Sequence, residues 1–355
     1  MTHPSSLRAL ALVALATVLL VLAGCGSEEG ARGSDAPGQD SAKQDAADRP
    51  PPPPEPAEAP ELEEKPAGRV VEVGSAPEGI VADPETGLVA VALRNPNELA
   101  LVDGASGETV RRVELPESAR HLGLAGLGGP VLVPAEGSDS FVRVGLPEGE
   151  VRGETPVGDF PHNVAALPDG RILVVNEKAS TASIVEDGRK VETVETDLKP
   201  GGVAVTEGGL VGVIAVQGLT FEVFEADNLD SLGRVDAGEG PTHVKAGPGN
   251  RFYVTDTRGD AVFVYGARPE PEQLDRVSLP GSPYGIAIDP GRGHLWVTLT
   301  ARQQVVQFSL EGDTLREISR YPTVRQANTV AVDPASGRVF VTGKTDGQLQ
   351  ILDPR

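Results

Sequence analysis

From residue 69 onward, short apolar runs alternate with short polar ones, and the alternation itself recurs. Segments 79–82, 203–205 and 285–288 are apolar on both faces, as in a strand covered on two sides. Each precedes a second segment rich in β-branched and aromatic residues: 171–175, 251–255, 294–298 or 338–342. A third follows (181–185, 261–265, 348–352), then a more polar fourth (110–115, 274–279, 315–318). The turn after the first segment reads Asp-Pro-x-x-Gly at Asp83–Gly87, Asp289–Gly293 and Asp333–Gly337. Proline presets φ at the second turn position, the Asp side chain caps the turn, and glycine leaves it with positive φ.

This unit starts again at Pro77, Arg120, Pro161, Pro200, Pro241, Pro283 and Ala327, at spacings of 43, 41, 39, 41, 42 and 44 residues. A period of about 40 with four short strands is the length of one propeller blade. The last unit ends in its third strand at 348–352, and the missing fourth lies at 69–73, directly before the first unit. The two ends of the repeat are therefore expected to share one sheet, so that closure removes exposed edges. The pattern predicts an all-β, seven-bladed β-propeller of four-stranded blades. An open solenoid or a ring of six or eight blades is the alternative, because the unit at 119–157 is degenerate.

The repeat resembles the YVTN-type propeller family, whose core is approximately Pro-x-Gly-Ile-Ala-Val-Asp-Pro followed by Tyr-Val-Thr-Asn. Phe252-Tyr253-Val254-Thr255-Asp256, Leu295-Trp296-Val297-Thr298 and Phe340-Val341-Thr342 are its nearest copies, and the likeness spans residues 69–355. It implies the fold and leaves the function open, since propellers host enzymes, receptors and scaffolds alike.

The N-terminus has a different grammar. Arg8 precedes an apolar run from Ala9 to Ala23 broken only by Thr17, short for a membrane span and suited to an export signal. It ends in Leu22-Ala23-Gly24-Cys25, which resembles the lipobox of bacterial lipoproteins. The resemblance implies a signal peptide at 1–24, cleavage before Cys25, a lipid on its sulfur, and location at the outer face of the cytoplasmic membrane or in the cell envelope. Two or three acyl chains anchor stably where one does not. An ordinary secretory signal is the other reading. Residues 26–66 then hold nine prolines, eleven acids and four bases, with Leu62 the only large apolar residue. Such a segment cannot bury enough surface to order itself, so 25–66 is read as a lipidated cysteine and a disordered tether before a propeller at 67–355. Stretched, it reaches on the order of 100 Å. A tail read by a partner is the alternative.

Composition narrows the function. The net charge is −21, divided as +1 for residues 1–25, −7 for 26–66 and −15 for 67–355. That balance disfavours nucleic acid as a partner. A single cysteine excludes an internal disulfide framework and any Cys-rich metal site. There is no Gly-x-Ser-x-Gly, P-loop or His-Glu-x-x-His motif. We expect a monomeric propeller.

In a propeller the innermost strands start around one mouth of the central channel. The residues just inside those starts are Glu78, His121, His162, Gly201, Thr242, Tyr284 and Asn328, then Gly79, Leu122, Asn163, Gly202, His243, Gly285 and Thr329. Three of the five histidines fall in this set. Glu78, His121, His162, Asn163, His243, Tyr284 and Asn328 are thus the expected ligand-binding residues. His162, His121 and Glu78 are the catalytic candidates if there is chemistry. His121, His162 and His243 are the candidates for a divalent metal, with His243 one residue out of register. Imidazole serves as metal ligand or as acid and base near neutral pH. The competing reading has each histidine bonding a nearby loop carbonyl. Tyr284 and Phe160 offer stacking surface or core. Pro161-His162-Asn163-Val164 and Pro283-Tyr284-Gly285-Ile286 are similar to strand starts in streptogramin-lyase-like propellers. Gluconolactonase-like propellers use acids and asparagines on a metal, for which Glu78, Asn163 and Asn328 are conceivable analogues. Neither catalytic set maps in full. The expected function is a binding or scaffold module at the axial mouth; the alternative is a metal-dependent lyase or lactonase.

Overall fold

The computed structural model describes residues 51–354. The signal expected at 1–24, Cys25 and spacer residues 26–50 lie outside the described residues. Within them, seven four-stranded antiparallel sheets succeed one another and form a β-propeller. Blade 1 comprises Ile80–Asp83, Leu88–Leu93, Glu98–Asp103 and Thr109–Glu114. Blades 3 to 6 open with Pro161–Ala166, Pro200–Val205, Pro241–Gly247 and Pro283–Asp289. Blade 7 consists of Ala327–Asp333, Arg338–Gly343 and Gln348–Leu352, completed by Arg69–Glu72. The closing register runs from Arg69 opposite Ile351 to Glu72 opposite Gln348, as the sequence pattern requires.

The core is distributed between blades. Phe221, Phe252 and Tyr265 stack at the contact of blades 4 and 5, and Trp296 packs with Val339 and Val341 between blades 6 and 7. The Asp-Pro-x-x-Gly turns form as expected. Asp83 Oδ2 accepts the Thr86 N–H at 2.9 Å and Gly87 leaves the turn at φ +70°.

Three sequence expectations need correction. The inner strand of blade 1 begins at Ile80, one residue into the segment expected at 79–82, and that of blade 2 at Gly123, three residues after the unit start at Arg120. The blade 2 strand is only Gly123–Leu124, because Gly123, Gly126, Gly128, Gly129 and Pro130 supply no β-branched side chains to sustain a ladder. Blade 2 still forms, with Val131–Ala135, Ser140–Val144 and Val151–Pro156. Finally, the tether reading runs to residue 66, yet residues 51–60 lie across one face of the ring and hydrogen-bond to its loops. Their order comes from donors on the blades, which composition alone does not reveal.

Candidate functional site

The axial mouth is built by a recurrent irregularity. In blades 3, 4, 5 and 7 the inner strand slips one residue against its neighbour at its second position, and in blade 6 the slip extends to Ile286. A bulge of this kind bends the strand and re-aims its side chains. The threonine of the Tyr-Val-Thr motif holds it. Thr255, fully buried, accepts the His243 N–H at 3.2 Å and donates to the Tyr284 carbonyl of the next blade at 2.9 Å. Thr298 accepts the Gly285 N–H at 2.8 Å, and Thr329 and Thr342 hydroxyls meet at 2.6 Å. Gly285 is required where blades 6 and 7 meet: a Cβ there would stand 2.5 Å from the Asn328 carbonyl oxygen.

The bulged strand starts of blades 3 and 5 and the loop before the short inner strand of blade 2 bring the three histidines together. The His121 ring lies 4.8 Å from both His162 and His243, edge-on to each, and His243 lies 4.5 Å from Tyr284. His243, expected out of register, is therefore in the cluster. Glu78, His121, His243, Tyr284 and Asn328 surround one gap of about 10 Å³. Asn163 lines an adjoining gap of about 30 Å³ with His121 and His243. Each is room for about one water. The structure thus brings all seven expected residues to one mouth, but as a packed plug rather than an open pocket. Phe160 stacks on His162 at 6.3 Å and carries the Lys178 ammonium 3.9 Å above its ring.

A second ring of side chains was not anticipated. The residue immediately after the second strand of each blade is Arg94, Glu136, Glu177, Val216, Thr257, Thr300 or Lys344. Four are charged, and they lock onto the first ring. Arg94 Nε stands 2.7 Å from Glu78 Oε2, and Lys344 Nζ 2.5 Å from Glu78 Oε1. Arg94 also reaches Glu136 at 3.3 Å. His162 Nδ1 stands 3.0 Å from Glu136 and 3.3 Å from Glu177. Arg120 approaches Glu136 at 3.7 Å and binds Glu55 of the crossing segment at 2.9 Å. The signal that could have found these residues is positional: one step past a strand that points at the same mouth.

Protonation follows from burial and neighbours. Burial, then Lys245 and His162, push His243 down to about 3. His121 is pushed well below the usual imidazole range by burial and by His162 and His243. Both rings are neutral at physiological pH. The His243 ring faces the Tyr284 carbonyl, which Thr255 also donates to and which partly offsets the burial of the imidazole. Burial and the Glu55 charge push the Tyr284 phenol up. Burial disfavours the Arg120 charge, but Glu55 and Glu136 outweigh it and raise its pKa.

A divalent metal does not fit this arrangement. Glu78 and Glu136 are already held by Arg94, Arg120 and Lys344. Arg120 and Lys245 place positive charge near the histidines. Among the described residues no group of three or more His, Cys, Asp or Glu is disposed to hold an ion. His294, the remaining histidine of the described residues, bonds Gln307 at 3.0 Å on an outer part of blade 6. The opposite end of the channel is wider, a cavity of about 540 Å³ walled by Ile80, Val205, Ala287 and Val330, into which Lys245 projects. Enclosure pushes the Lys245 amine down, though it is open to solvent within the channel.

No family model and no curated protein matches the chain. Solved structures match it in fold. Hydrazine synthase from Kuenenia stuttgartiensis aligns at TM-score 0.68 and 15% identity, over 82% of this chain and 97% of that one. Virginiamycin B lyase from Staphylococcus aureus aligns at 0.67 and 14%, over 80% and 98%, and an inactive variant of it was solved with quinupristin. The Cps50 (Swd1) β-propeller domain of Myceliophteria thermophila aligns at 0.68 and 9%, over 81% and 100%. At these identities the likeness shows the propeller fold alone, shared by chains named for two enzymes and by a propeller domain of another kind.

Proposed function

We propose that this chain is an exported, lipid-anchored propeller that binds a partner at its axial mouth and performs no reaction there. One observation carries this reading: the mouth is a packed, charge-balanced surface in which each of Glu78, Glu136 and His162 faces an oppositely charged or acidic neighbour within 3.3 Å. An active site at neutral pH needs a group poised to gain or lose a proton and room for a substrate. Here His121 and His243 are held neutral, and the gaps between them admit about one water each. Lipidation at Cys25 and the Pro-rich spacer would hold the ring at the outer membrane face or in the envelope.

The second reading, a lyase or lactonase of the propeller type, draws on His162 between Glu136 and Glu177, a histidine oriented by acids. One experiment separates the two. A photo-crosslinking residue at Phe160, beside His162, is expected to yield adducts of defined mass in cells expressing the full chain. At Val191, exposed on the outer strand of the same blade, it is expected to yield none. Cys25→Ser should shift the chain from the membrane to the soluble fraction. Equal yields at both positions, or turnover of quinupristin or an aryl lactone that disappears in His162→Ala, would overturn the binding-module reading.

A further inference from the structure

We propose that the axial mouth is a receptor for an extended, proline-rich, acidic peptide, and that residues 51–60 occupy it as a built-in competitor. This rests on the reading of the mouth as a binding surface and names its partner class.

The segment carries no helix or strand, and its contacts come from donors on five blades. Gln217 of blade 4 donates to the Pro51 carbonyl at 3.1 Å, and Arg258 of blade 5 to Pro52 at 2.8 Å. Arg120 of blade 2 grips both oxygens of Glu55, at 2.9 and 3.2 Å. Ser282 of blade 6 accepts the Ala57 N–H at 3.1 Å, and Gln303 donates to the Pro60 carbonyl. Gln326 of blade 7 reads two residues at once: its Oε1 accepts from Ala59 at 2.8 Å and its Nε2 donates to Ala57 at 3.0 Å. Arg325 bonds the Ala59 carbonyl and pairs with Glu61 at 2.7 Å.

This is how a surface reads an extended chain. Main-chain groups are matched by fixed side-chain amides and guanidinia, and few side chains are specified. Those specified are an acid for Arg120, a second for Arg325, and small or cyclic apolar residues between. Pro54 and Ala59 are buried, and Gly240 leaves room for the Pro54 ring, since a Cβ there would lie 3.1 Å from Pro54 Cβ. Proline preorganises such a peptide, so little freedom is lost on binding. Beyond the Glu61 pair with Arg325, residues 62–65 are exposed. A tethered competitor presents itself at an effective concentration on the order of millimolar, which a free partner must exceed or outbind.

The test uses the full chain and a fluorescein-labelled peptide of residues 50–61, followed by anisotropy. Wild type is expected to bind it weakly. Glu55→Lys with Glu61→Lys, which sets the internal segment against Arg120 and Arg325, is expected to bind it at least tenfold more tightly. Arg120→Glu should abolish binding, and a peptide carrying Lys in place of Glu55 should restore it on that variant. Equal affinity of wild type and the double variant would show that the segment does not compete. No binding to either at millimolar peptide, with circular dichroism unchanged, would refute the peptide receptor. If crosslinks at Phe160 persist in that case, the mouth still binds a partner and only this partner class fails; if they are also absent, the underlying reading fails with it.

Discussion

His243 and His121 are neutral because the ring buries them beside the positive groups Lys245 and Arg120 and packs them against a neighbouring imidazole, His162. The sign of the consequence follows from linkage. In the unfolded chain both protonate near pH 6.5, whereas folded His243 resists protonation down to about 3. Below about pH 6.5 the unfolded state binds more protons, so stability falls as pH falls from there toward 3. At pH 5 a histidine that stays neutral costs about 2 kcal/mol, at 1.36 kcal/mol per unit over about 1.5 units. Depressed carboxylates such as Asp83 and Asp103 lose their contribution only in the acid range below the usual carboxylate values, leaving pH 7 to 5 to the histidines. We expect urea midpoints of wild type to drop over that window, and His121→Gln with His243→Gln to flatten the drop. A parallel fall in the double variant would assign it elsewhere.

A blade places its mouth residues through one small device, the pairing of an inner-strand bulge with a second-strand threonine. Thr255→Val keeps the volume and removes the hydroxyl that serves the His243 N–H and the Tyr284 carbonyl. Each buried group left unpaired costs about 1–3 kcal/mol. A lower melting temperature is expected, together with altered histidine ring signals in NMR, because the His243–Tyr284 contact hangs on that hydroxyl. Thr193→Val, on the exposed outer strand of blade 3, should change little by comparison. Much of this scale was legible in sequence. The Tyr-Val-Thr motif, the Asp-Pro-x-x-Gly turns and the blade period are local patterns, and local patterns survive in a one-dimensional reading. Even the histidine cluster was visible, because strand starts converge at an axis. Glu177 and Lys344 were missed because they follow strands whose ends were placed one residue short, and Arg94 and Glu136 because their blades' second strands were given no bounds. His243 does sit one position after His162, as the spacing implies, and its ring still lies 4.8 Å from that of His121. The seating of residues 51–60 was invisible for a different reason: their own composition favours disorder, and only donors scattered from Arg120 to Gln326 hold them.

At the scale of the whole molecule, closure is the one pairing that sequence neighbours cannot make. Glu72 and Gln348 are 276 residues apart, whereas every other blade is a meander of adjacent strands. Bringing distant ends together carries loop-closure entropy that local pairing does not, so the seam is expected to form after the blades. Its packing is nonetheless that of a core: Leu349 and Ile351 are buried and share a cluster with Val71, Val91 and Phe340. Two substitutions of the same chemistry separate the order of events. Leu349→Ala at the seam and Leu99→Ala within blade 1 each remove a fully buried side chain, at about 2–5 kcal/mol. If the blades form first, Leu99→Ala slows refolding, whereas Leu349→Ala leaves refolding unchanged and speeds unfolding. Stopped-flow chevrons in urea report both limbs. Equal slowing of refolding by the two variants would mean that the ring closes at the rate-limiting step. The fourth strand of blade 7 would then nucleate the fold rather than fasten it, and the crossing segment just upstream of Arg69 would be seated from the start of folding.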